Sequence, residues 1–144
     1  MTTPEIAHRQ KIERNIVTLI VENAISKGYS ISGFDEEEDV FQRETDPAEI
    51  MKNVMHVDAE TLIFHRPDGT YAGFVFLVYG NDGHDAISDH TASDEIADIL
   101  HRAVIYANTA EDQAFDERIA KREAEAKPSD DPDDWHNKSS RLHY

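Results

Sequence analysis

The chain contains no cysteine at all. A disulfide framework, a thiolate zinc site and a cysteine nucleophile are therefore excluded, and nothing argues for an oxidising compartment. Long apolar runs are also missing. The longest, Phe74 to Tyr79, is far shorter than the roughly 20 residues a membrane-spanning helix needs. The first residues, Met-Thr-Thr-Pro-Glu, lack the basic-then-apolar pattern of a signal peptide, so the expected location is cytoplasmic. Base is scarce too, with 14 lysines and arginines against 30 acids and a formal net charge of −16. Nucleic acids and anionic membranes are recognised by clustered Lys and Arg, so direct binding to either is disfavoured. A basic protein partner is favoured, set against the simpler alternative of acidity kept for solubility.

What remains has the size of one domain. Its 144 residues can bury roughly two-thirds of the unfolded surface, whereas two domains would each be small. One acidic domain over residues 1–127 is expected, followed by a polar, acidic tail at 128–144.

Helix signals open the chain. Thr2 or Thr3 can cap, Pro4 suits a first turn, and Glu5 stands three residues after Thr2 as in a capping box. Ile12, Ile16, Leu19, Ile20 and Ile25 recur at helical spacing, with Glu13, Arg14 and Glu22 on other faces, until Gly28 ends the helix. Tyr29, Ile31 and Gly33 alternate with Ser30 and Ser32 as a short strand, and Val40-Phe41 either resumes it or begins its hairpin partner. Asp46, Pro47 and Glu49 start a short helix that buries Ile50 and Val54.

Beyond residue 61 a meander is expected. Leu62 and Phe64 point inward, Pro67-Asp68-Gly69 turns, and Tyr71 to Tyr79, apolar on both faces, reads as the central strand. Gly80-Asn81-Asp82-Gly83 reads as a hairpin and His84 to His90 as the returning strand. A last helix starts at Ser93 or Asp94, with Ile96, Leu100, Ala103, Val104 and Ala107 inside. Past residue 108 large apolar residues thin out, so residues 108–127 either project from the domain or pair with another chain. The predicted class is α+β: an antiparallel meander of about four strands against N-terminal and C-terminal helices, plus one short helix.

The segment Val78-Tyr79-Gly80-Asn81-Asp82-Gly83-His84-Asp85-Ala86-Ile87-Ser88-Asp89-His90-Thr91 resembles small uncharacterised proteins of bacterial phages and mobile elements. In these a long N-terminal helix precedes a meander, and a Gly-Asn-Asp-Gly hairpin precedes an Ile-Ser-Asp segment. Similarity of order extends over residues 10–105, and its sharp part covers about 14 residues. The chain departs from the pattern at His84 and His90, where aromatic rings are expected. The resemblance implies an α+β fold and a mobile-element setting; it carries no assigned activity and transfers no catalytic residue.

Chemistry-bearing residues are sparse. His84, Asp85, Asp89 and His90 suggest a metal cluster, with His65 joining from a neighbouring strand. Yet two residues six apart on one strand face lie roughly 20 Å apart, too far for one ion. Asp85 and Asp89 form a carboxylate pair with no Arg or Lys nearby in sequence. Ser88 lacks nucleophile-elbow glycines, and no phosphate-cradling loop occurs. No cofactor, metal or catalytic residue is therefore assigned.

Acid is distributed unevenly. Residues 35–60 hold ten acids against two bases, densest at Asp35, Glu36, Glu37, Glu38 and Asp39. The long helix adds Asp94 and Asp98. Carboxylates spread over a rigid surface imitate phosphates, so a nucleic-acid-mimicking inhibitor of a basic host factor is one expectation. Trp135, alone among acids in the tail, either docks into a partner's pocket or folds back on its own domain. A small enzyme or metal protein built on the meander, and a homodimer formed through residues 96–119, are the competing expectations.

Overall fold

A computed structural model describes the backbone of residues 3–35 and 38–126, and side chains to residue 113. The chain divides into two compact units, residues 1–111 and 112–144. Trp135, Glu36 and Glu37 lie outside the described residues, as do the side chains of Ala114, Phe115 and Ile119.

The elements run α1 (Pro4–Ser26), β1 (Ser30–Phe34), β2 (Asp39–Glu44), α2 (Pro47–Asn53), β3 (Ala59–His65), β4 (Tyr71–Val78), β5 (Ile87–His90) and α3 (Asp94–Ala126). Among the described residues the sheet has five strands, one more than expected, because Val40-Phe41 begins a hairpin partner. All pairings are antiparallel, in the order β2-β1-β3-β4-β5. The central strand is therefore β3, not β4. Apolar residues on both faces of β4 do not mark it as central; they mark a second face that is apolar too.

Caps fix the helix ends. The Thr3 hydroxyl accepts from the Ile6 amide, so Thr3 is the cap and Glu5 falls outside the capping-box position. At the other end Gly28 adopts φ +93°, and the amides of Gly28 and Tyr29 close back onto the carbonyls of Ile25 and Ala24. That is a Schellman termination, which turns the chain into β1. Asp46 caps α2 through the Ala48 amide. Ser93 caps α3 through the Ile96 amide, with Asp94 and Glu95 in its first turn.

Strand alternation divides the sheet into two faces. Ile31, Leu62, Phe64, Val75 and Leu77 point to one side and join Ile16, Ile20, Ile50, Ile96, Ile99 and Leu100 in the core. Among the described residues, α1, α2 and the 96–110 stretch of α3 thus cover the same face. In α3 the inner position falls to Ile99, while Val104 is exposed. Asn23, buried in α1, donates to the carbonyls of Asp98 and Ile99 and ties the two long helices together.

Close approach dictates two glycines. The Phe41 ring lies where a Cβ on Gly33 would be, at 2.2 Å, and Ile96 sits 2.5 Å from the place of a Cβ on Gly73. Gly73 lets α3 lie against β4. Gly73→Ala should overpack this contact and cost about 1–3 kcal/mol, lowering the urea midpoint at unchanged slope.

Candidate functional site

The antiparallel register sets one end of the sheet apart. There the β1–β2 turn, the start of β3 at Ala59, the end of β4 at Val78 and the start of β5 lie side by side. The loops at this end carry Asp35, Glu38, Asp39, Asp58, Asp82 and Asp85, all exposed except the half-buried Asp35. In the β1–β2 turn the Asp35 carboxylate accepts from the Glu38 amide, and at the start of β2 the Asp39 carboxylate accepts from the Gln42 side chain.

Asp94 and Asp98 lie at the opposite end. Glu95, beside Asp94, accepts hydrogen bonds from Arg66 at the end of β3 and from the Tyr29 hydroxyl just before β1. The structure does not bring the two acidic groups together; it replaces the distant pair by Asp58, Asp82 and Asp85. Sequence order hid that grouping, because only strand pairing brings Asp35, Glu38, Asp39, Asp58, Asp82 and Asp85 to one end of the sheet.

Two carboxylates at the same end are buried, and the sequence reading missed both. Glu13 and Glu60 are 1% and 4% exposed. Glu13 occupies a stripe position, four residues before Val17 and seven before Ile20, so helical spacing could have found it. Its Oε2 accepts from the Gly80 amide at 2.8 Å, and its Oε1 stands 3.6 Å from Arg9 Nε. Glu60 alternates with Leu62 and Phe64 on the core face. Its Oε2 accepts from the Met55 amide at 2.9 Å and from the Tyr79 hydroxyl at 2.5 Å. Met55 has φ +67°, a conformation costly for a side chain with a Cβ, and the Glu60 bond holds that turn in place.

A cleft of about 210 Å³ opens between these groups, with Arg9, Glu13, His56 and Tyr79 on its walls. Burial first, then the charge of Glu60 and the hydrogen bond to it, push the Tyr79 hydroxyl far above its ordinary value, so it stays protonated. With Oε2 of each acid engaged by backbone amides, the pair pins the 55–58 and 80–86 loops to α1 and the sheet. Gly83 contributes to the same anchoring, since a Cβ there would meet the Arg9 carbonyl and Ile12 at 3.2–3.3 Å.

The His/Asp set of the meander disperses. The returning strand is only Ile87–His90, which leaves His84 and Asp85 in the loop. His84 faces Asp82 at 3.9 Å, and the His90 ring binds the Thr91 carbonyl. His65 lies beside Ser32, Nε2 to Oγ 3.0 Å. Burial, and then Arg43, hold its ring below the ordinary histidine value. Among the described residues no three His, Asp or Glu side chains converge as metal ligands, and no helix is long and apolar enough to cross a membrane. No family model, no curated protein and no solved structure matches the chain.

At the far end, the hydrogen bonds from Arg66 and then Tyr29 hold the Glu95 carboxyl below its ordinary value. Burial and the bond to Glu95 raise the Tyr29 hydroxyl to about 12. A depressed carboxyl value in the fold adds stability above the unfolded value, and the gain disappears as pH falls through the folded one. Glu95→Gln should therefore melt lower than the natural chain at pH 7. The gap should close on acidification below about pH 4, read as thermal midpoint against pH.

Proposed function

We propose that the protein is a non-enzymatic interaction protein of a phage or mobile element. It engages a basic host protein through its acidic surface and competes with nucleic acid for that protein. The observation that carries this reading is the gathering of Asp35, Glu38, Asp39, Asp58, Asp82 and Asp85 at one end of a rigid sheet. Neighbouring strands stand about 4.8 Å apart, so five strands span roughly 19 Å. Six carboxylates over that width give on the order of one charge per 3 Å, near the spacing of phosphates along a single strand. The net charge of −16 adds long-range attraction for a basic partner and repels competing anions. The buried Glu13 and Glu60 hold the loops that carry Asp58, Asp82 and Asp85, so the row is preorganised.

Recovery of the protein from its host cell should bring with it a basic, nucleic-acid-binding protein. Their affinity should fall steeply with salt, and DNA or RNA should displace the acidic chain. Replacing Asp35, Glu38 and Asp39 with Asn, Gln and Asn should weaken the complex by about ten-fold or more, since each 1.4 kcal/mol is a factor of ten. Titration calorimetry at two salt concentrations checks this. Affinity indifferent to both salt and the triple substitution would remove the electrostatic reading.

A further inference from the structure

The face of the sheet turned away from the helices is apolar. Register and alternation place Phe34, Ile63, Phe74, Phe76 and Val78 there, with Ser30, Ser32, Ala59, Thr61 and His65 between them. None of the five large residues belongs to the helix-side core or packs against it. All are half-buried, shielded by cross-strand neighbours: Ile63 opposite Phe74, Thr61 opposite Phe76, Ala59 opposite Val78. An antiparallel sheet with one open face ordinarily turns polar residues to water. Here three of the chain's six phenylalanines occupy that position instead. In a chain with 30 acids, the centre of this face holds none. Among the described residues, acids stand at its margins, Asp39 opposite Phe34 on one edge and Asp89 opposite Phe76 on the other, beside the acidic loops at one end.

An apolar, aromatic centre inside a charged margin is the anatomy of a protein interface. The sheet's edges do not compete for the role. β2 pairs through two register shifts and carries Arg43 at φ +49°, and β5 has four residues and a shift of its own. Such edges resist addition of a foreign strand. We propose that this open face is the centre of the contact with the basic partner. It takes an amphipathic segment whose apolar side chains lie over Phe34, Ile63, Phe74, Phe76 and Val78, with Lys and Arg turned to Asp39, Asp89 and the acidic loops. The assignment rests on the acidic-surface reading above. Complementary charge selects such a segment over a second copy of the chain, which would set −16 against −16.

The probe is a synthetic helical peptide with leucines along one face and lysines along the other, compared with a scrambled isomer of equal charge. The full chain should bind the amphipathic peptide at least about ten-fold tighter than the scramble. Ile63→Thr with Phe74→Thr, both strand-compatible, should bring that preference to within about two-fold while binding of the scramble and the circular dichroism stay unchanged. Asp35→Asn, Glu38→Gln and Asp39→Asn together should weaken both peptides. A preference that survives in the face variant overturns this assignment and leaves the acidic reading standing; undiminished binding by the acid variant removes the acidic reading itself. If the chain sediments as a dimer and the face variant as a monomer, a second copy holds the face and the assignment falls. It falls equally if the emission of Trp135, the only tryptophan, is blue-shifted in the natural chain and moves to the red in the face variant, since the chain's own tail then takes the place.

Discussion

The pleat of β3 is the constraint on which the other features depend. Glu60, Leu62 and Phe64 point to the helices, while Thr61, Ile63 and His65 point away. Because side-chain direction alternates strictly, a slip of one residue would drive Ile63 into the core and Phe64 out of it. β3 also carries the pairing on both sides, to β1 and to β4, so its register sets that of the sheet. Through Glu60 the same strand secures the turn at Met55 and the Tyr79 hydroxyl. Core, open face and loop anchor thus all descend from seven consecutive residues.

Much of this was legible in the sequence, and the reasons are local. Thr-Pro, Asp-Pro and Gly28 act through their own backbone preferences, so helix starts and the first stop could be read directly. Leu62 and Phe64 alternate within one strand and needed no partner to be assigned. What could not be read depends on pairing. The apolar run Phe74 to Val78 is compatible with a strand buried on both faces and with an edge-side strand whose second face is open. Only the order β2-β1-β3-β4-β5 separates the two. The site was hidden for the same reason: Asp58, Asp82 and Asp85 are strangers to Asp35 in sequence and neighbours across strands. Glu13 was misplaced because a charged residue in an apolar stripe is ordinarily assigned to the solvent side, a rule that fails where a backbone amide such as that of Gly80 waits for a carboxylate.

Acid therefore acts in two different ways. Glu13 and Glu60 are withdrawn from water and satisfied by backbone amides and a tyrosine hydroxyl, where they stiffen loops. The carboxylates of Glu38, Asp39, Asp58, Asp82 and Asp85 are exposed to water, where their field extends about 8–10 Å at ordinary salt. The first set holds the loops that carry Asp58, Asp82 and Asp85. A mutation of Glu60 would thus act at a distance, through the Met55 turn and the Asp58 that follows it.

An open apolar face favours self-association, and two features of this chain oppose it. Large exposed apolar patches ordinarily drive aggregation through self-association or through sheet edges. Here the edges are short, shifted or kinked at Arg43, and a charge of −16 opposes the approach of a second copy. The same charge attracts a basic surface. Electrostatics chiefly sets the rate and selectivity of encounter, whereas apolar burial chiefly sets the lifetime of what forms. On the proposed reading the two complement each other: the acid would keep the face from its own kind, and the face would give a partner drawn by the acid something to hold.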